Sequence, residues 1–270
     1  MSSEQIWTRT PLLQDKTIVV TGCASGIGLE TSRLIKELGG DVIGVDRTKT
    51  EEYIDELYVA DMSDPQMLKA LVRALPDQID GIANIAGLPP TAPAEMVLKV
   101  NFLGLRYFTE NMIAKLNDGA SIVNLASLAG LDWSEAIGSI NEFLKIEFDG
   151  LQRFMQEHRI DNEGGRSYFF SKEALIVWTM QNRWTWRERG IRMNAISPGP
   201  VDTPILKDFI ETLGERAEED MRVMDRPGTA QDIAPVVAFV LSDMTSWLRG
   251  SNIPLDGGMS SHIFSQKHGF

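Results

Sequence analysis

The chain has 270 residues, 43% of them hydrophobic, enough to bury a sizeable core within one α/β domain. Its net charge of -12 repels phosphate backbones and anionic lipid, which argues against nucleic-acid and membrane-surface partners. One cysteine, three scattered histidines (His158, His262, His268) and the lack of any leader-like or bilayer-length apolar run predict a cytoplasmic protein without disulfide or metal.

Thr17 to Val20 is a short β-branched run ending at Thr21-Gly22, and it reads as a buried parallel strand. From Gly26 to Leu38 apolar residues recur at helical spacing (Ile27, Leu34, Ile35, Leu38), and the pattern stops at Gly39-Gly40. Asp41 to Asp46 predicts a second strand and Tyr58 to Ala60 a weaker third. Asp64 to Leu75 predicts a helix with Pro65 at a tolerated early position. Gly81 to Ala86 follows as a strand, Ala94 to Leu116 as one long helix, and Ser121 to Ala126 as a strand. Ser167 to Arg189 reads as helical and Ile191 to Ile196 as a strand. Ala230 to Leu241 reads as a helix in spite of Pro235, and Asn252 to Leu255 as the last strand.

Short strands alternating with helices mean βαβ units and a parallel sheet covered on both faces. The expected fold class is therefore α/β, one domain spanning residues 1–270. Two segments interrupt the alternation. Leu131 to Arg166 is long and mostly helical in pattern, and Pro204 to Asp225 is a charged helical flap. Both follow the carboxyl ends of strands, where open α/β sheets bind ligands.

The turn from Thr21 to Gly28 joins the first strand to the first helix. Gly22, Gly26 and Gly28 allow a tight turn and close approach to a pyrophosphate, which then sits on the helix amino terminus beside Ser25 and Ile27. Asp46 closes the second strand, where a carboxylate can accept both adenosine ribose hydroxyls and repel a 2′-phosphate. That favours NAD, although Arg47 next door is a residue type that can bind such a phosphate. Cys23, inside the turn, reads as a small packing residue.

Tyr168 and Lys172 lie four apart on a predicted helix, hence on one face. A free phenol is a poor base at neutral pH, and a neighbouring ammonium or a positively charged nicotinamide lowers its pKa. The pair can then take a proton from an alcohol or return one to a ketone. Ser127 ends a strand at the sheet edge, where its hydroxyl can bond the substrate oxygen. Asn101, in the long helix, can hold a water linking Lys172 to solvent. Asn84-Ile85-Ala86-Gly87 closes the fourth strand with small residues that admit a ligand. The turn from Pro198 and Gly199 through Val201 to Thr203 is placed to bind the nicotinamide carboxamide.

On these residues the chain resembles the short-chain dehydrogenase/reductase family over about Asp15 to Gly258. The shared pattern is TGxxxGxG at Thr21–Gly28, NxAG at Asn84–Gly87, Asn101, Ser127, YxxxK at Tyr168–Lys172 and the PG turn at Pro198-Gly199. The resemblance implies a doubly wound, Rossmann-type sheet, NAD(P) binding and a catalytic tetrad of Asn101, Ser127, Tyr168 and Lys172. It also implies that Asp61-Met62 lies beside the adenine and that Ile191 and Thr203 flank the nicotinamide.

Two departures from the family pattern stand out. Ser127 and Tyr168 are 41 positions apart, much farther than in most members, and the intervening segment predicts one or two amphipathic helices. That layout is similar to the subgroup of 3α-hydroxysteroid dehydrogenase/carbonyl reductases and coniferyl alcohol dehydrogenases, and it implies a homodimer. Phe169 and Phe170 replace the usual small residues and bulk out either helix packing or a subunit contact. Leu88, Pro89, Trp133, Pro200 and Leu206 are candidate walls for a hydrophobic alcohol or ketone, steroid-like or aryl. Trp184 and Trp186 read as core or interface, and the tail from Met259 either covers a neighbour's site or frays. The alternative function is a non-catalytic NAD-binding regulatory or structural protein, which the presence of Tyr168 and Lys172 disfavours. An enoyl reductase is a third class, whose tyrosine and lysine are usually more widely spaced.

Overall fold

Ile18, Val19 and Val20 are all fully buried, and they alternate between two separate apolar layers. A parallel strand with helices on both faces packs this way, which is why it reads as an unbroken β-branched run. The computed structural model describes residues 11–214 and 222–270, so the start of the chain and positions 215–221 of the expected flap lie outside the described residues. Among the described residues no helix is long and apolar enough to cross a membrane.

The main sheet contains β1 (Thr17–Thr21), β2 (Asp41–Asp46), β3 (Glu56–Val59), β4 (Ile79–Asn84), β5 (Leu116–Leu125) and β6 (Arg192–Pro198). After a two-strand ribbon of β7 (Val201–Asp202) and β8 (Gly228–Thr229), β9 (Asn252–Leu255) completes it. Its order is β3-β2-β1-β4-β5-β6-β9, with every neighbouring pair parallel. The winding reverses between β1 and β4, and the turns leaving these two strands open a crevice at their carboxyl ends. This is the doubly wound, Rossmann-type sheet that the resemblance implied.

On one face α1 (Gly26–Glu37) and α9 (Ala230–Leu241) cover Ile18, Val20, Val42, Ala83, Val123 and Ile196. On the other, α2 (Pro65–Ala74), the long central helix and α7 (Arg166–Gln181) cover Val19, Ile43, Ile82, Ile122 and Met193. Pro235 lies on the exposed face of α9, whose start is fixed by a capping box between Thr229 and Asp232. The long helix runs as expected but is not uniform. It passes from α3 (Ala94–Leu98) through a π turn at Lys99–Gly104 to α4 (Leu105–Met112) and a closing 3-10 turn at Ile113–Lys115. β4 begins and ends two residues before its expected bounds, because Ile85 and Ala86 leave the sheet to donate to Thr21 Oγ1 at 3.0 and 3.1 Å. Helix α7 also stops at Gln181, and two 3-10 turns replace its expected last turns.

The insertion forms two helices, α5 (Ile137–Phe143) and α6 (Leu151–His158), and buries Ile140, Phe143, Leu151 and Phe154. Phe143 stacks 4.9 Å from Phe102 and 5.2 Å from Phe170, so the insertion docks on the π turn and on α7. Phe170 is thus a packing residue for the insertion. Arg106, almost fully buried, donates to the carbonyls of Leu144 and Ile146 and pins the loop between the two helices. The described flap is α8 (Leu206–Leu213). The tail is ordered as α10 (Met259–His268), and Lys267 pairs with Asp132 and Glu135 of the insertion. Trp186 packs on the core, whereas Trp184 is 58% exposed, with Arg183 over its ring.

Candidate active site

The carboxyl edge of the sheet holds two adjoining cavities that share Ile27, Ile85, Gly87, Leu125 and Thr203. The smaller, about 310 Å³, is lined by the glycine turn, Asp46, Arg47, Asp61, Met62 and Ala86. Gly22 is required there by geometry: its φ is +73°, and a Cβ would fall 2.8 Å from the Ala86 backbone. A Cβ at Gly28 would lie 1.9 Å from the Gly22 carbonyl oxygen, so the turn can close only with glycine at that position. Ser25 precedes α1 without capping it through its side chain. The first-turn amides of Gly26, Ile27 and Gly28 therefore face the cavity as a ready anion site, which fits a dinucleotide pyrophosphate.

Asp46 serves this turn directly. Its Oδ2 accepts from the Ala24 amide at 3.0 Å and its Oδ1 from the Thr48 amide at 2.9 Å. Arg47 is exposed at the rim of the same cavity. Cys23 is fully buried, and burial beside Asp46 pushes its thiol up to about 12, so it is inert packing.

The larger cavity, about 540 Å³, holds Ser127, Tyr168, Lys172, Pro198, Gly199, Val201 and Thr203. Lys172 Nζ donates to the Leu125 carbonyl at 2.7 Å and lies 5.5 Å from the centre of the Tyr168 ring. Ser127 Oγ accepts from the Ala129 amide at 3.1 Å, and its hydroxyl acts on the Tyr168 phenol across the same cavity. Burial pushes the phenol up to about 12, which the Ser127 hydroxyl only partly offsets, and burial pushes Lys172 down to about 8. At this phenol burial outweighs the expected pull of the lysine.

The two asparagines are both buried. Asn101 is fully buried in the π turn. Its Oδ1 accepts from the Leu88 amide at 2.7 Å, and its Nδ2 donates to the Leu88 carbonyl at 3.1 Å and to Ser171 Oγ at 3.3 Å. The side chain therefore holds the Leu88 wall. Asn84 is turned away from both cavities. Its amide donates to Thr109 Oγ1 and Asn124 Oδ1, both at 2.9 Å, in a polar chain beneath the sheet. Strand alternation carries the signal for this, since Asn84 shares a face with Ile82.

Ile191 is buried in the core at the amino end of β6, opposite the cavities, and so lies away from the expected nicotinamide position. Leu88, Pro200 and Leu206 line the larger cavity, whereas Pro89 and Trp133 do not, Trp133 packing on the core instead. Phe209 of the expected flap lines it too, and several wall residues were not anticipated: Phe169, Glu173, Ile263 and Gln266. The Tyr168 ring meets Phe209 edge-on at 4.8 Å, which fixes the phenol's direction from the flap side.

A parallel sheet that opens a cleft of this length beside a buried phenol and ammonium is the build of a nicotinamide-dependent oxidoreductase. Comparison with known proteins agrees. Residues 16–138 match the short chain dehydrogenase family model, and residues 151–260 match one described as enoyl-(acyl carrier protein) reductase. A coniferyl-alcohol dehydrogenase from a Pseudomonas species is 41% identical, over 92% of this chain and 98% of its own. A 3-alpha-hydroxysteroid dehydrogenase/carbonyl reductase from Comamonas testosteroni is 28% identical, over 90% of this chain and 96% of its own. Among solved structures, a 3-alpha-hydroxysteroid dehydrogenase from a Pseudomonas species, complexed with NADH, superposes with a TM-score of 0.78 at 26% identity. That match covers 93% of this chain and 99% of the other. The chain belongs to the short-chain dehydrogenase family, whose members use NAD or NADP.

Proposed function

We propose that this protein is an NAD-linked dehydrogenase of hydrophobic alcohols, aryl alcohols of the coniferyl type foremost. The observation that carries the reading is the continuous cleft, which brings the glycine turn, Tyr168 and Ser127 to one mostly apolar chamber. Identity of 41% to a coniferyl-alcohol dehydrogenase, against 28% to the hydroxysteroid enzyme, favours an aryl over a steroid substrate.

When bound, the nicotinamide supplies the acceptor for the hydride. The chain's own groups handle the proton and the charge. Ser127 Oγ bonds the substrate oxygen, and Tyr168 Oη takes the hydroxyl proton as the carbonyl forms. Lys172, held at Leu125, keeps a positive charge beside the phenol and favours its ionised form. Asp46 presents its carboxylate to the adenosine end, which supports NAD over NADP, since a 2′-phosphate would meet a like charge.

Reduction of NAD or NADP by coniferyl-type alcohols and by 3α-hydroxysteroids, followed by absorbance, tests this. We expect aryl alcohols to give the higher kcat/KM, and NAD to be preferred over NADP by at least about tenfold. Turnover confined to hydroxysteroids would overturn the substrate assignment, and equal use of NADP would overturn the role of Asp46.

A further inference from the structure

A buried acceptor on the wall of the larger cavity takes no part in the chemistry above. Glu173 follows Lys172 on α7, is only 4% exposed, and belongs to the wall that carries Tyr168 and Ser127. Its Oε1 accepts from Arg166 Nη1 at 2.8 Å. Its Oε2 is buried and has no hydrogen-bond partner among the described residues. An unmatched buried carboxylate oxygen is costly, and natural structures leave few of them, so this one calls for a donor that arrives with a ligand.

We propose that Glu173 Oε2 forms a specificity subsite, accepting a hydrogen bond from a second hydroxyl on the alcohol substrate, remote from the one oxidised. The position follows from helix geometry. Tyr168 and Lys172 form one stripe along α7, Phe169 and Glu173 form the next, and both stripes line the same cavity. A substrate held at Tyr168 by its reacting oxygen therefore extends along Phe169 toward Glu173.

The charges select a neutral donor. Arg166 already balances the carboxylate, and Lys172 is its neighbour, so a cationic ligand group would add unmatched positive charge. An anionic group would meet the carboxylate itself. Leu128, Leu131 and Ile263 on the same wall suit a ring spanning the two hydroxyls. A phenol is the strongest neutral O–H donor for such a carboxylate, so the substrate class is an aryl alcohol with a free phenolic hydroxyl.

The subsite rests on the proposed alcohol-dehydrogenase function, and the test separates the two. Steady-state rates with NAD are compared for 4-hydroxycinnamyl alcohol, cinnamyl alcohol and 4-methoxycinnamyl alcohol. In the unmodified protein the hydroxylated alcohol should show a kcat/KM roughly 10- to 100-fold above both others, chiefly through KM. In Glu173→Gln this ratio should fall toward one, because the bond is no longer charge-assisted. Turnover of all three alcohols at equal efficiency overturns the subsite and leaves the dehydrogenase reading standing. A variant that slows all three in parallel with the ratio intact shows a structural ion pair only, and overturns it too. No turnover of any aryl alcohol overturns the parent reading and this inference with it. The comparison among substrates needs no variant, so equal efficiency overturns the subsite even if Glu173→Gln fails to fold.

Discussion

Lys172 is buried with its ammonium on one backbone carbonyl, and that burial pushes its pKa down from the usual 10.5 to about 8. The unfolded chain keeps this lysine protonated to higher pH. Between pH 8 and 10.5 the unfolded state thus binds the extra proton, and stability rises with pH across the window. Tyr168 acts in the opposite sense. Raised from 10 to about 12, it stabilises the fold below pH 10, and that contribution is lost as pH climbs from 10 to 12. Lys172→Met should therefore raise stability at pH 7, by at most on the order of 3 kcal/mol, and flatten the rise above pH 8. Urea denaturation at a series of pH values checks both; a variant less stable than its parent at pH 7 would contradict the assignment. Tyr168, Lys172 and Ser127 were legible in the sequence because a four-residue helical spacing and a strand end are local facts. Glu173 was not, because a glutamate in a helix usually faces solvent, and only the tertiary packing buries it.

At the scale of elements, the insertion and the tail are what set this chain apart. The insertion is held by an aromatic cluster in which Phe143 touches Phe102, Phe154 and Phe170. Phe143→Ala should cost about 3–5 kcal/mol, read as a lowered urea midpoint with little change in slope. A loss below about 1 kcal/mol would mean that the cluster collapses around the gap or contributes little. Apolar spacing in Phe143, Leu151 and Phe154 revealed helices here, but not that Phe170 receives them. The tail hid its helix because Met259, Ile263 and Phe264 are scattered among polar residues. What starts α10 is Asp256, whose two oxygens accept the amides of Gly258 and Ser260 at 3.0 Å each. What holds its far end is the pairing of Lys267 with the insertion. Both anchors join residues in ways a periodicity search does not see. Together the insertion and α10 wall the larger cavity through Leu131, Asp132, Ile263 and Gln266.

For the molecule as a whole, the alternation of short apolar strands with amphipathic helices carried the fold. The central strands are covered on both faces, so they read as nearly continuous apolar runs, and right-handed crossovers leave only a handful of topologies. The crevice between β1 and β4 then fixes where a dinucleotide lies, and α7 fixes the phenol beside it. Two errors in the reading fell at strand ends. There Ile191 was expected at the ligand edge but stands at the opposite one, and Asn84 turns beneath the sheet. The central claim is that the Tyr168 hydroxyl moves the proton. Turnover and NADH fluorescence titration of Tyr168→Phe test it most directly. Turnover should fall by at least about a hundredfold while NADH still binds; near-normal turnover in that variant would contradict the account.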